Sequence, residues 1–150
     1  MTPEIITLQQ TIVELCMAAE ESVGNTSRPC TWDTLAVHVS AAEPHGRPQL
    51  QFAFLPYLNA VKDSNKLPRH VPYERDQEFR DTIWRLRTKM AEQSGKKAWG
   101  TCIIEVNNQG EYRFQFGYER PDWMFDGPGF VDAEVARSRF VSEYPCPVFE

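Results

Sequence analysis

The side chains that could do chemistry in this 150-residue chain are three histidines, four cysteines and a crowd of acids near the C-terminus. Cys102 and His38 fall in stretches that alternate like strands, so a thiolate–imidazole nucleophile pair on one sheet is one reading. Cys102 also keeps the apolar register of Ile104 and Val106, where a small buried thiol fits better. Asp122, Asp126 and Asp132 offer oxygen ligands for a hard cation. Their segment, "DWMFDGPGFVD", has no regular ligand spacing, and its Pro128 and Gly129 suit a fixed turn. Glu119 and Asp122 would serve as a general acid–base pair only if a cleft brought them together. The chain carries no phosphate-binding glycine loop, dinucleotide fingerprint, zinc-protease helix, serine elbow or EF-hand loop. The reading is therefore of a protein with no catalytic residue, no metal and no cofactor.

The stretch "GEYRFQFGYERPDWMFDGPGF", residues 110–130, carries a different chemistry. Its first half alternates aromatic and polar residues. Its second half turns to proline, glycine, acids and aromatics. Aromatics beside charge are the composition of protein-binding hot spots. Tyr118, Glu119, Asp122, Trp123, Phe125 and Asp126 are the candidate partner-binding residues. Charge supports this. Residues 101–150 hold nine acids and four arginines, which accounts for the whole net charge of −5. Such a surface repels nucleic acid and anionic membrane, and it attracts basic partners. A stacking platform for single strands needs a positive groove, and "YRFQFGY" has only Arg113 between its aromatics.

Positioning these residues requires a sequence of elements. "TPEIITLQQTIVELCMAAEESVG" reads as a helix with Thr2 as N-cap and Pro3 in its first turn. Ile5, Leu8, Ile12, Leu15 and Ala19 form its apolar stripe, and Gly24 can end it. "TWDTLAVHVS" and "QLQFAFL" alternate and read as a hairpin with a long loop. Leu35, Val37 and Val39 face one way; Thr34, Ala36, His38 and Ser40 face the other. Residues 56–75 contain three prolines and read as a loop with, at most, a short edge strand. "DQEFRDTIWRLRTKMAEQSG" is a second helix, with Phe79, Ile83, Leu86 and Met90 inward and Gly95 at its end. "AWGTCIIEV" and "EYRFQFGYE" are strands joined by the tight turn "NNQG". "VDAEVARSRFVSEY" reads as a short final helix, with Asp132 as a cap.

The order is α-ββ-α-ββ-α. It implies one α+β domain over residues 1–150, an antiparallel sheet of about four or more strands with helices packed on one face. At 41% hydrophobic residues the chain is too apolar to stay disordered. It has no apolar run of bilayer length and no basic leader, so the expected location is cytoplasmic. Cys16, Cys30, Cys102 and Cys146 are scattered and expected to be free thiols.

Residues 98–121, "AWGTCIIEVNNQGEYRFQFGYERP", resemble the YezG-like antitoxin and immunity-protein family. The resemblance rests on Trp99 at the head of a strand, Gly110 in a tight turn, and Phe114, Phe116, Tyr118 and Glu119 on the strand that follows. The outline upstream agrees: a helix, a strand led by Trp32, a partner strand and a middle helix. Gly117 stands where the family often carries an acid, and residues 56–75 lack a counterpart there. The resemblance implies an immunity protein, as in toxin–antitoxin or contact-dependent growth inhibition systems. It would neutralise a cognate toxin, commonly a nuclease, by direct binding. The alternatives are a regulatory or adaptor domain with another basic partner, or a small hydrolase using Cys102 or an acid pair.

Overall fold

A computed structural model describes residues 2–23, 33–43, 49–59, 61–62, 73–118, 125–126, 129–130, 135, 138–139 and 146–149. The chain divides into two compact units, residues 1–31 with 69–98, and residues 32–68 with 99–150.

The first unit holds two long helices. α1 runs over Pro3–Val23 and α2 over Tyr73–Ser94. Thr2 caps α1: its hydroxyl accepts from the Ile5 N–H at 3.4 Å, and its carbonyl from Ile6 at 3.1 Å. Ile5, Leu8, Ile12, Val13, Leu15 and Cys16 are buried along α1, and Phe79, Ile83 and Leu86 along α2. The helices run antiparallel, since Lys89 near the end of α2 reaches Glu4 at the start of α1. α2 stops at Gly95, whose φ of 66° is a left-handed closure. Its solvent side carries helical ion pairs, Arg80 with Asp76 and Arg75 with Glu78. At that exposure, solvent screening leaves such pairs little effect on stability.

The second unit is built on a five-stranded antiparallel sheet. Its strands are β1 (Thr34–Ala42), β2 (Gln49–Leu58), β3 (Val61–Lys62), β4 (Thr101–Asn107) and β5 (Tyr112–Gly117), in spatial order β3-β2-β1-β4-β5. Both expected hairpins form, and β1 joins them by pairing with β4. On one face, Val37 lies opposite Phe54 and Ile104, and Ile104 opposite Phe114. The fold class is α+β as the sequence implies. β2 runs on through Pro56 to Leu58 and α2 starts at Tyr73, so both ends of the loop expected over 56–75 belong to regular elements. Proline is tolerated in β2 because β3 pairs only with Tyr57 and Leu58, and a strand edge needs no N–H. Most of the expected final helix lies outside the described residues; Val135, Ser138 and Arg139 within it are helical.

The β4–β5 turn is closed by Asn107. Its N–H donates to the Glu111 carbonyl at 3.0 Å, and its side-chain oxygen accepts from Gln109 and Glu111. Gly110 completes the three-residue loop at φ 88°, a conformation that side chains avoid. At the same end of the sheet, Asp33 ties separate segments together. Its N–H donates to Tyr57, its carbonyl accepts from Asn108, and its carboxylate accepts from the Asn59 N–H at 2.9 Å. Asn59 itself holds a positive φ of 53°. We expect Asp33→Ala to lower unfolding free energy by about 1–2 kcal/mol, because it removes a charge-assisted bond from a strained turn. Urea denaturation at neutral pH checks this; an unchanged midpoint would show that the turn closes without it.

Candidate functional site

Of the six candidate binding residues, Tyr118 is the one whose side chain is described. It directly follows β5 and is 42% exposed, as are few large apolar side chains among the described residues. Glu119, Asp122 and Trp123 lie outside the described residues. Phe125 and Asp126 form a short strand, β6, rather than the irregular loop expected there. It pairs antiparallel with β7 (Gly129–Phe130), setting Phe125 opposite Phe130 and Asp126 opposite Gly129. Gly127 and Pro128 separate the two strands in the sequence.

The family-like residues upstream of Tyr118 serve the sheet. Trp99 is fully buried, and its ring lies 5.6 Å from Phe116. Phe116 stacks on Phe114 at 6.0 Å, and Phe114 meets Tyr112 edge-on at 5.8 Å. These contacts form an aromatic row along one face of β5. Gly117 pairs with Thr101, and a Cβ there would collide with the Thr101 hydroxyl. A side chain at position 117 would require the Thr101 hydroxyl to turn away.

Cys102 and His38 do not meet. Cys102 pairs with Val39, and His38 with Ile103, so the two side chains leave opposite faces of the sheet. The nucleophile pair considered from sequence is not formed, and Cys102 is a fully buried thiol in the apolar register.

The face that carries His38 is buried as well. Ala36, His38 and Ser40 on β1, Leu55 and Tyr57 on β2, and Glu105 on β4 are all withdrawn from solvent. Glu105 is 4% exposed, and the Arg113 guanidinium of β5 donates to it at 2.5 Å. The Gln115 amide also reaches it, at 3.4 Å. Arg113 lies over the Phe149 ring at 4.7 Å. The C-terminal segment thus reaches this face, and Pro147 within it is buried. Burial, then the nearby Cys146 and Glu105, holds the Tyr57 phenol well above its ordinary range. Burial, then Asp33 and Glu105, pushes the Cys146 thiol up. Burial drives the His38 imidazole down to about 3. All three are uncharged at neutral pH and far from the range a general base needs there.

Asp33, Glu105, Arg113 and Phe149 were not singled out from sequence. One signal was available for the central pair. The turn closed by Asn107 and Glu111 sets position 105 opposite 113, so a lone acid in "CIIEV" meets the lone arginine of "YRFQF". Among the described residues no cluster of three or more metal-ligating side chains occurs. No described helix is long and apolar enough to cross a membrane. No protein-family model matches the chain, and no curated protein is significantly similar to it.

The buried imidazole makes stability depend on pH. Its native pKa lies below the unfolded value of 6.5, so its contribution is complete above about 6.5 and is lost as pH falls toward 3. In that window each pH unit removes about 1.4 kcal/mol through this group. His38→Gln should therefore lose less stability than the parent between pH 7 and pH 4.5. Urea midpoints at the two pH values measure this, and parallel losses would refute the assignment.

Proposed function

We propose that this protein is a cytoplasmic immunity protein of the YezG-like kind, which binds a basic toxin, most simply a nuclease, and silences it. The observation that carries the reading is the end of β5. An exposed Tyr118 leads out of an ordered aromatic strand into the acid- and aromatic-rich residues 119–130, which include the paired Phe125 and Phe130. A nuclease domain is basic where it grips phosphates. Acidic charge on an inhibitor speeds and orients its approach, and aromatic anchors supply the affinity. Tyr118, Glu119, Asp122, Trp123, Phe125 and Asp126 are the proposed contacts. The mechanism is one-to-one occlusion with no turnover of a small molecule.

Co-expression with the product of the adjacent gene, followed by purification and a nuclease assay, tests this. A stable complex should emerge whose partner degrades nucleic acid only after this protein is stripped away. Combining Trp123→Ala with Asp122→Lys should raise the Kd about 100-fold or more, roughly 3 kcal/mol, while the unfolding transition stays put. A harmless neighbour that forms no complex would overturn the toxin reading; an unchanged Kd would overturn the site.

A further inference from the structure

The two edges of the sheet are treated differently. On one side, β2 is shielded by β3 over Tyr57 and Leu58, carries Pro56, and has Phe52 and Phe54 engaged in further interactions. On the other side, β5 is the last strand among the described residues, six residues long. Natural edges are blunted by charged side chains, lysine above all, by proline, by a bulge or by extreme shortness; the one charge on β5, Arg113, is drawn inward to Glu105 of β4. "YRFQFG" has no lysine and no proline, and its register with β4 runs unbroken from Tyr112 to Gly117.

The direction of its backbone groups follows from the ladder. Asn107 and Glu111 form a hydrogen-bonded pair, so Arg113 and Gln115, at steps of two, also bond inward to β4. The N–H and C=O groups of Tyr112, Phe114 and Phe116 therefore point away from the sheet. The side chains of all three are only half-buried. At the head of this edge lies an open groove of about 440 Å³, lined by Glu111, Tyr112, Arg113, Val148 and Phe149. Glu111 is exposed there.

We infer that the partner of the preceding section docks by adding an extended, basic segment as a sixth strand on the outer edge of β5, with one side chain in the groove beside Glu111. This rests on the inhibitor reading for the partner's identity. Strand addition draws affinity from main-chain bonds and specificity from alternate side-chain positions. The charge decides the occupant. Residues 101–150 carry a net −5 and no lysine, so pairing with a second copy would bring together two net-negative stretches of chain, whereas a basic strand is attracted.

Amide exchange by NMR on the full chain at low salt is the test, with an alternating Lys-Val decapeptide as probe and an alternating Glu-Val decapeptide as control. The Lys-Val peptide should shift the amides of Tyr112, Phe114 and Phe116 and slow their exchange by about tenfold or more, as burial in a ladder does. The Glu-Val peptide should not. Phe114→Pro deletes one outward N–H without touching the β4 ladder and should abolish the effect; Phe114→Leu keeps the N–H and should retain it. Should the proline variant fail to fold, exchange in the parent still decides. Absence of protection, protection elsewhere, equal response to both peptides, or protection that grows with protein concentration alone would overturn the inference. A co-purified toxin that is silenced while these three amides stay unprotected would also overturn it, and would leave the inhibitor reading intact. Lys-Val docking alongside an inert neighbouring gene product would support the edge and count against the toxin.

Discussion

Glu105 is a carboxylate withdrawn from water in the middle of a sheet, and its bond to Arg113 is the interaction on which the second face depends. An isolated buried charge costs several kcal/mol, so its partner must be in place whenever the sheet is. Arg113 can supply that only if β5 is in register with β4, which the turn at Asn107–Gly110 dictates. Arg113 in turn offers its planar cation to Phe149. One ion pair therefore links a turn, a strand register and the C-terminal segment. A slip of one residue in β5 would turn Arg113 to the opposite face and strip Glu105 of this partner. The pair contributes specificity of register more than net stability, since Arg113 remains partly exposed and screened.

The same constraint accounts for the central position of β1. Its residues from Leu35 to Ala41 are all buried, so both of its faces are covered. A strand buried on both sides must make every ladder bond, and β1 does so by pairing with β2 and β4 at once. Small residues make this feasible on the second face, where Ala36 and Ser40 flank His38. The imidazole is accommodated by staying neutral. Bulk is concentrated on the first face, in Leu35, Val37 and Val39.

The parts legible in the sequence are those set by local rules. Thr2 and Pro3 mark the start of α1, Gly95 marks the end of α2, and the "NNQG" turn fixes its hairpin, because caps and tight turns are decided within a few residues. Period-two alternation likewise separates Leu35, Val37 and Val39 from Ala36, His38 and Ser40. Alternation cannot say whether the second set meets water. That is decided by non-local packing, such as the approach of Phe149 to Arg113 on this face, and the proline-rich C-terminal sequence carries no periodic signal for it. The β1–β4 pairing is non-local for the same reason. Proline misleads at Pro56, since an edge position removes the cost that makes it a strand breaker elsewhere. For the candidate site, composition could not distinguish residues that build the strand from residues that leave it. Phe114, Phe116 and Trp99 belong to the first kind and Tyr118 to the second.

Charge and backbone contribute to recognition at different distances. Fixed charges act over about a Debye length, some 8–10 Å in physiological salt, and tolerate imprecise placement. Acids can therefore sit anywhere along residues 119–134 and still steer a basic partner. Hydrogen bonds act over 3 Å and demand a rigid template. β5 is such an element, held by β4 on its inner side, by the Glu105–Arg113 pair on one face and by the Trp99–Phe116 contact on the other. An inhibitor that met its partner through loops alone would lose loop entropy on binding, about 1–2 kcal/mol for each residue ordered. A strand edge ordered in advance avoids that loss. In the proposed complex, long-range attraction from the acids of residues 119–134 and short-range register from β5 would be complementary, the first delivering a partner to the second.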